Sequence, residues 1–161
     1  MFQKYWNVLL VDDEPDVLTV SRLALKNLKC YGIPVKLHEA KSKEEAIHFL
    51  NTNPEATYLA AAIIDVVMET EQAGLELCQY IREERCDSKT PLIIRTGQPG
   101  KAPERDVIDR YDISGYIGKV EATDERLYSL LKCAIRQYST TMFYALRARA
   151  VKTLLPAVRS G

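Results

Sequence analysis

The sequence predicts an α/β domain: a doubly wound, five-stranded parallel sheet of strand order 2-1-3-4-5, with helices on both faces and an extended C-terminal helix. Three observations carry this expectation. Short apolar runs at residues 8–11, 59–65 and 91–96 alternate with longer stretches of helical periodicity. The run at 59–65 is unbroken, as in a strand covered on both faces, whereas residues 35–40 alternate apolar and polar, as in an edge strand. Right-handed crossovers then leave few ways to order the strands, and the edge-like second strand selects 2-1-3-4-5.

Taken in order, residues 8–11 form a short buried strand that runs into Asp12, Asp13 and Glu14 before Pro15 opens a helix, where its missing N–H costs nothing. Val17, Val20, Ala24 and Leu28, with Leu18 and Leu25, give this helix a wide apolar stripe, and Gly32 and Pro34 stop it. After the edge strand, Ser42 with Glu45 makes a capping box for a second helix through Ala46, Ile47, Phe49 and Leu50. The central strand ends on Asp65. Leu75, Cys78 and Ile81 mark a third helix. Residues 91–96 form a fourth strand ending on the hydroxyl of Thr96. A Gly- and Pro-rich loop leads to a short helix with Val107, Ile108 and Tyr111, and residues 115–118 form a fifth strand ending at Lys119. Thr123 caps the last helix, with Asp124 and Glu125 in its first turn.

At 161 residues the chain is long enough to bury a core without disulfides or metal staples. Four cysteines at unrelated spacings suggest neither a zinc site nor a disulfide framework. The apolar run near the N-terminus is too short for a signal peptide or a membrane span, so the expected location is cytoplasmic. Net charge is zero, yet no acid follows Glu125, so an acidic body precedes a basic tail. From Arg136 onward the chain stays helix-compatible. Leu131, Tyr138 and Ala145, with Ala134, Thr141 and Ala148, keep a heptad spacing that would let this helix meet a partner helix. No nucleic-acid-binding module or membrane-binding signature is evident.

In doubly wound sheets sites form beyond the carboxyl ends of the strands, near the switch between strands 1 and 3. Those ends carry Asp12 and Asp13, Asp65, Thr96 and Lys119. Clustered carboxylates suit Mg²⁺, which takes a few carboxylates plus water and a phosphate oxygen. A carboxylate such as Asp65 can act as nucleophile toward phosphorus, and the transferring oxygens then need cations and hydrogen-bond donors, roles that Lys119 and Thr96 fit.

The segments LLVDDEP, AIIDVVM, IIRTG and SGYIGK resemble the receiver domain of two-component response regulators, a flavodoxin-like fold, over residues 5–136. The resemblance implies that Asp65 is the phosphoacceptor, that Asp12, Asp13, Asp65 and the main-chain carbonyl of Val67 hold Mg²⁺, and that Lys119 contacts the phosphoryl group. It further implies that Thr96 and Tyr116 are the switch pair. The donor would be a sensor histidine kinase or a phosphotransfer protein. A homodimer would form through the fourth helix, fifth strand and fifth helix, or through the C-terminal helix. Residues 137–161 would be a helical extension or a linker to an output domain. The segment from Arg95 to Thr123 is also similar to receivers found N-terminal to cyclic-dinucleotide phosphodiesterases, although no phosphodiesterase signature occurs in these residues.

Two departures stand out. Val120 replaces the proline that usually follows the lysine and sets a cis peptide there, a bond costly without proline. Glu69 stands where the family usually has proline. Val67 and Gln98 occupy positions that govern how water reaches the phosphoryl group, and Val67 offers water no hydrogen bond, so a long-lived aspartyl phosphate is expected. Three functions compete: a phosphorylation-dependent switch with no enzymatic activity beyond its own phosphotransfer and dephosphorylation, a phosphorylation-independent interaction module, and a Mg²⁺-dependent phosphohydrolase.

Overall fold

In the computed structural model, residues 4–97 and 105–158 are described. Five strands run parallel: β1 (Trp6–Val11), β3 (Ile33–Ala40), β4 (Leu59–Asp65), β5 (Leu92–Thr96) and β6 (Ile113–Gly118). Their order, β3-β1-β4-β5-β6, is the one the sequence predicts. A sixth, two-residue strand, β2 (Lys29–Cys30), pairs antiparallel with the start of β3 and extends the edge as a small hairpin. Asn27 and Tyr31 flank β2 at φ of 65° and 53°, left-handed conformations that let the chain reverse after the first helix. Trp6 ties this hairpin to the sheet by donating its indole N–H to the Cys30 carbonyl at 2.9 Å.

The helices are α1 (Pro15–Leu25), α2 (Lys43–Thr52), α3 (Ala73–Gln79), α4 (Arg105–Tyr111) and α5 (Asp124–Val158). Two apolar clusters form, one on each face of the sheet. Leu9, Val11, Ile64, Ile94 and Leu77 belong to the first, and Leu10, Ile63, Ile93, Leu18, Leu131 and Ile135 to the second. Apart from Ala60 and Ala61, which share the second cluster, neighbouring residues of β4 up to Ile64 feed opposite cores, which is why the strand has no polar position before Asp65.

Several local expectations are refined. Ser42 Oγ accepts from Glu45 N at 3.1 Å, while the Glu45 carboxylate reaches back to Lys41 N rather than to the cap residue itself. The third helix widens at Tyr80–Glu84 into a π turn closed by Arg85 N on the Tyr80 carbonyl. Arg82 fixes this turn by donating to the carbonyls of Tyr111, Asp87, Thr90 and Asp112. On α1 the buried stripe is Leu18, Ser21 and Leu25, and Val20 is 61% exposed. Periodicity found the stripe but not its edge, because apolar residues lie around most of this helix. In α5, Leu131, Ala134 and Tyr138 pack into the chain's own core, so half of the heptad seam is already occupied. Only beyond it does the helix present Phe143, Tyr144, Leu146 and Val151 to solvent.

Candidate functional site

β1, β4 and β5 deliver their last residues to one end of the sheet. Asp12 follows β1 directly, its N–H bonded to the Ala40 carbonyl of β3. Its Oδ1 accepts from Glu14 N at 3.0 Å, a tight turn that feeds α1. Asp65 pairs in register with Arg95 of β5, and Thr96 pairs with Gly118 of β6, one residue before Lys119. Asp12, Asp13, Glu14 and Asp65 each bring a carboxylate oxygen to within 4.8 Å of the others. Asp12 and Asp65 are buried, at 0% and 2% exposure, whereas Asp13 and Glu14 are exposed.

Lys119 is the hub. Its ammonium lies 2.8 Å from Asp65 Oδ2, 3.2 Å from Asp12 Oδ2 and 2.5 Å from Glu14 Oε1. Burial disfavours its charge, but bonds to Asp65 and Glu14 and the charges of Asp12 and Asp65 outweigh that and raise its pKa. Burial also pushes the Asp65 carboxyl above the usual range, with Lys119 pulling it back, Asp12 adding to the rise and Arg95 opposing it. Asp65 Oδ1 is buried without a hydrogen-bond partner among the described residues. One oxygen of this carboxylate is therefore pinned, and the other is buried with its hydrogen-bonding capacity unmet by the described residues.

The residues present fit a divalent metal. Hard carboxylate oxygens converge, and one of the cluster's residues, Asp65, has a buried oxygen without a hydrogen-bond partner among the described residues, a donor set of the kind Mg²⁺ prefers. Val67 lies in the loop just after β4, two residues past Asp65, with its side chain packed against the core. Glu69 accepts from Lys43 N at 2.9 Å, which ties this loop to the start of α2. Lys119–Glu121 is a 3-10 turn, and no cis peptide bond occurs among the described residues. The chain leaves β6 through this turn, and Lys119 still reaches Asp65 with Val120 in the proline's place. Tyr116 packs its ring against the core, and its hydroxyl is buried without a partner among the described residues. Thr96 is buried at the end of β5. Gln98 lies outside the described residues.

Two participants lie outside the site residues that the sequence pattern singles out. Glu14 does more than favour a helix N-terminus, since it takes part of Lys119. Arg95, 1% exposed, donates from Nη2 to Asp12 Oδ2 at 3.0 Å and from Nη1 to Ser21 Oγ at 2.7 Å. The available signal was a lone cation in an apolar strand, because a buried arginine needs a partner.

The family model of the response regulator receiver domain matches residues 8–132. The chain belongs to the response regulator receiver family. It is 43% identical over 136 residues to the 3'3'-cGAMP-specific phosphodiesterase 2 of Vibrio cholerae, an alignment covering 84% of this chain and 26% of that protein. The chain thus spans about a quarter of that relative's length. Among solved structures it is similar to the signal receiver domain of an HD domain-containing protein from Pseudomonas fluorescens, at TM-score 0.71 and 22% identity, covering 88% of this chain and 96% of that one. It is also similar to the N-terminal domain of a response regulator/sensory box/GGDEF protein from Carboxydothermus hydrogenoformans, at TM-score 0.67 and 19% identity, covering 84% and 98%. These two likenesses speak to the receiver fold. The chain holds the family's acidic pocket. No helix among the described residues is long and apolar enough to cross a membrane.

Proposed function

We propose that this receiver is a phosphorylation-dependent switch that takes a phosphoryl group on Asp65 from the phosphohistidine of a sensor histidine kinase or a phosphotransfer protein. The observation that carries the reading is the asymmetry of Asp65: Oδ2 is held by Lys119 at 2.8 Å, and buried Oδ1 has no partner among the described residues. In the transfer Oδ1 attacks phosphorus, the phosphorus–nitrogen bond breaks with its electron pair remaining on the imidazole, and an acyl phosphate forms. Lys119 balances charge on the phosphoryl oxygens, and the Thr96 hydroxyl donates to one of them. Asp12, Asp13, Asp65 and the Val67 carbonyl would hold Mg²⁺, which supplies further positive charge to the phosphoryl oxygens.

The transferred group adds charge at the rim of the core and draws Thr96 and Tyr116 inward. The face formed by α4, β6 and α5 is thereby remodelled, a population shift driven by a local charge. Residues 5–136 form the switching body, and the remainder of α5 carries the change outward. That helix dimerises or leads to an output, and the Vibrio relative suggests a cyclic-dinucleotide phosphodiesterase as the output's class. Val67 gives water no foothold, so the acyl phosphate persists; its loss within seconds would contradict this.

Incubation with a small phosphodonor and Mg²⁺, read by intact mass, tests the reading. Stoichiometric gain of one phosphoryl group in the wild type and none in Asp65→Asn is expected. No gain in the wild type would leave a phosphorylation-independent interaction module, and steady donor turnover would mark a hydrolase.

A further inference from the structure

The acidic pocket contains two cations of different character. Lys119 is partly exposed, shares its ammonium among three carboxylates and sits on a flexible stem. Arg95 is buried and clamped. Its Nη1 donates to Ser21 Oγ at 2.7 Å, and that hydroxyl in turn donates to the Val17 carbonyl at 2.7 Å, so α1 fixes one side of the guanidinium. Its Nη2 holds Asp12 Oδ2 at 3.0 Å. A guanidinium stays protonated at any working pH, so this charge cannot be shed as a buried lysine's can. Neither member of the pair can leave without stranding a buried charge.

Asp12 therefore enters metal binding with one oxygen already committed. When Lys119 swings away, Oδ1 keeps its bond from Glu14 N at 3.0 Å and has a remaining lone pair for a cation, which approaches against the fixed positive charge of Arg95. We propose that Arg95 is a positioning residue, a permanent internal counter-ion of Asp12 that aims Oδ1 and holds the pocket's affinity for divalent cations low. This rests on the reading of Asp12, Asp13 and Asp65 as the metal site. In the resting receiver Arg95 supplies part of the charge balance that a metal would otherwise provide.

Mn²⁺ is a suitable probe, because it takes carboxylate and water ligands and its free form is counted directly by electron paramagnetic resonance. Titrations compare wild type, Arg95→Gln, Arg95→Lys and each with Asp13→Asn. Glutamine removes the charge and keeps a polar side chain in the strand, and lysine keeps the charge but not the fork. Arg95→Gln should bind Mn²⁺ tighter by on the order of tenfold. Arg95→Lys should stay closer to wild type than to Arg95→Gln, and Asp13→Asn should weaken binding in every background. A purely structural arginine would give the opposite sign, since a displaced Asp12 binds metal less well.

Equal or weaker binding in Arg95→Gln overturns the proposal while leaving the pocket intact, provided Asp13→Asn still weakens the site. Binding indifferent to Asp13→Asn in all backgrounds removes the pocket and the proposal together. If Arg95→Gln is too unstable for titration, its melting temperature with and without Mg²⁺ decides. Tighter binding must give a larger metal-dependent rise than in wild type, and an equal or smaller rise overturns the inference.

Discussion

Gly74 is the glycine packed most closely against its neighbours among the described residues, and it lies against the backbone of Asp65; Gly74→Ala tests that directly. A Cβ built there would lie 1.9 Å from the Asp65 carbonyl oxygen and 2.8 Å from both the Asp65 carbonyl carbon and Val66 Cα. Reaching ordinary contact at 3.4 Å requires an opening of about 1.5 Å, and every obstacle is backbone, which cannot rotate away. The approach is locked by Gly74 N donating to the Val66 carbonyl at 3.0 Å. Overpacking of this kind costs roughly 3 kcal/mol, near the top of the usual range. Alanine in the first turn of α3 returns about 1 kcal/mol of helix propensity. A net loss of about 2 kcal/mol follows, a fall of roughly 4–8 °C in melting temperature for a domain of this size. Because the displaced backbone is Asp65's own, phosphoryl uptake should slow by on the order of 100-fold. Gly115→Ala is the control, since its added Cβ would meet side chains of Ile93 and Leu130, the nearest at 3.5 Å. Urea unfolding and phosphodonor uptake check both effects. A Gly74→Ala protein of unchanged stability that takes up phosphoryl at the wild-type rate would refute the close approach.

From the π turn Arg82 donates to four carbonyls, two in the loop before β5 and two at the junction of α4 and β6, a fork lysine cannot reproduce. Arg82→Lys should therefore cost about 2 kcal/mol in urea unfolding. His38 has its pKa lowered from 6.5 by burial, against an opposing pull from Glu55. Above pH 6.5 the neutral ring contributes fully to stability. As pH falls through that value the unfolded chain takes the proton first, and stability declines until the lower folded value is passed. His38→Gln should flatten that part of the pH–stability curve, with Glu55 and Lys36, which face the ring, left in place. Tyr116→Phe removes a buried hydroxyl with no partner among the described residues, so resting stability should be unchanged or rise by up to about 1 kcal/mol. A loss of that size in thermal unfolding would mean the hydroxyl is bonded after all.

What could be read in the sequence follows from how each signal is carried. Asp65 was legible because a seven-residue strand buried at every position ends on a charge, a break visible without a structure. The strand order was legible because residues 35–40 alternate apolar and polar, as in a strand near the edge of the sheet, and β3 is only partly buried. The hairpin strand β2 was not, since two residues carry no periodicity. The one hint was Asn27, a residue that tolerates the left-handed turn needed to leave α1. The boundary of the α1 stripe was hidden for another reason: which apolar side chains are buried depends on where α5 crosses, a tertiary fact.

The deeper omission concerns charge. Reading strand ends finds groups at the rim, and the carboxylates there call for cations, but the cation that is wholly buried sits one residue inside the rim. Arg95 was passed over because its three predecessors in β5 are Leu92, Ile93 and Ile94, so the strand reads as apolar. Burial makes the arginine more informative. A guanidinium fixed at 1% exposure survives only if a carboxylate is fixed with it, and that carboxylate is Asp12, also wholly buried. The acid pair is therefore not two equivalent carboxylates. Asp13 is exposed and unencumbered by Arg95, while Asp12 is oriented by a partner it cannot leave. The charge at this end of the sheet is thus set by Arg95 together with the carboxylates, because the guanidinium neutralises one of them before any other cation arrives.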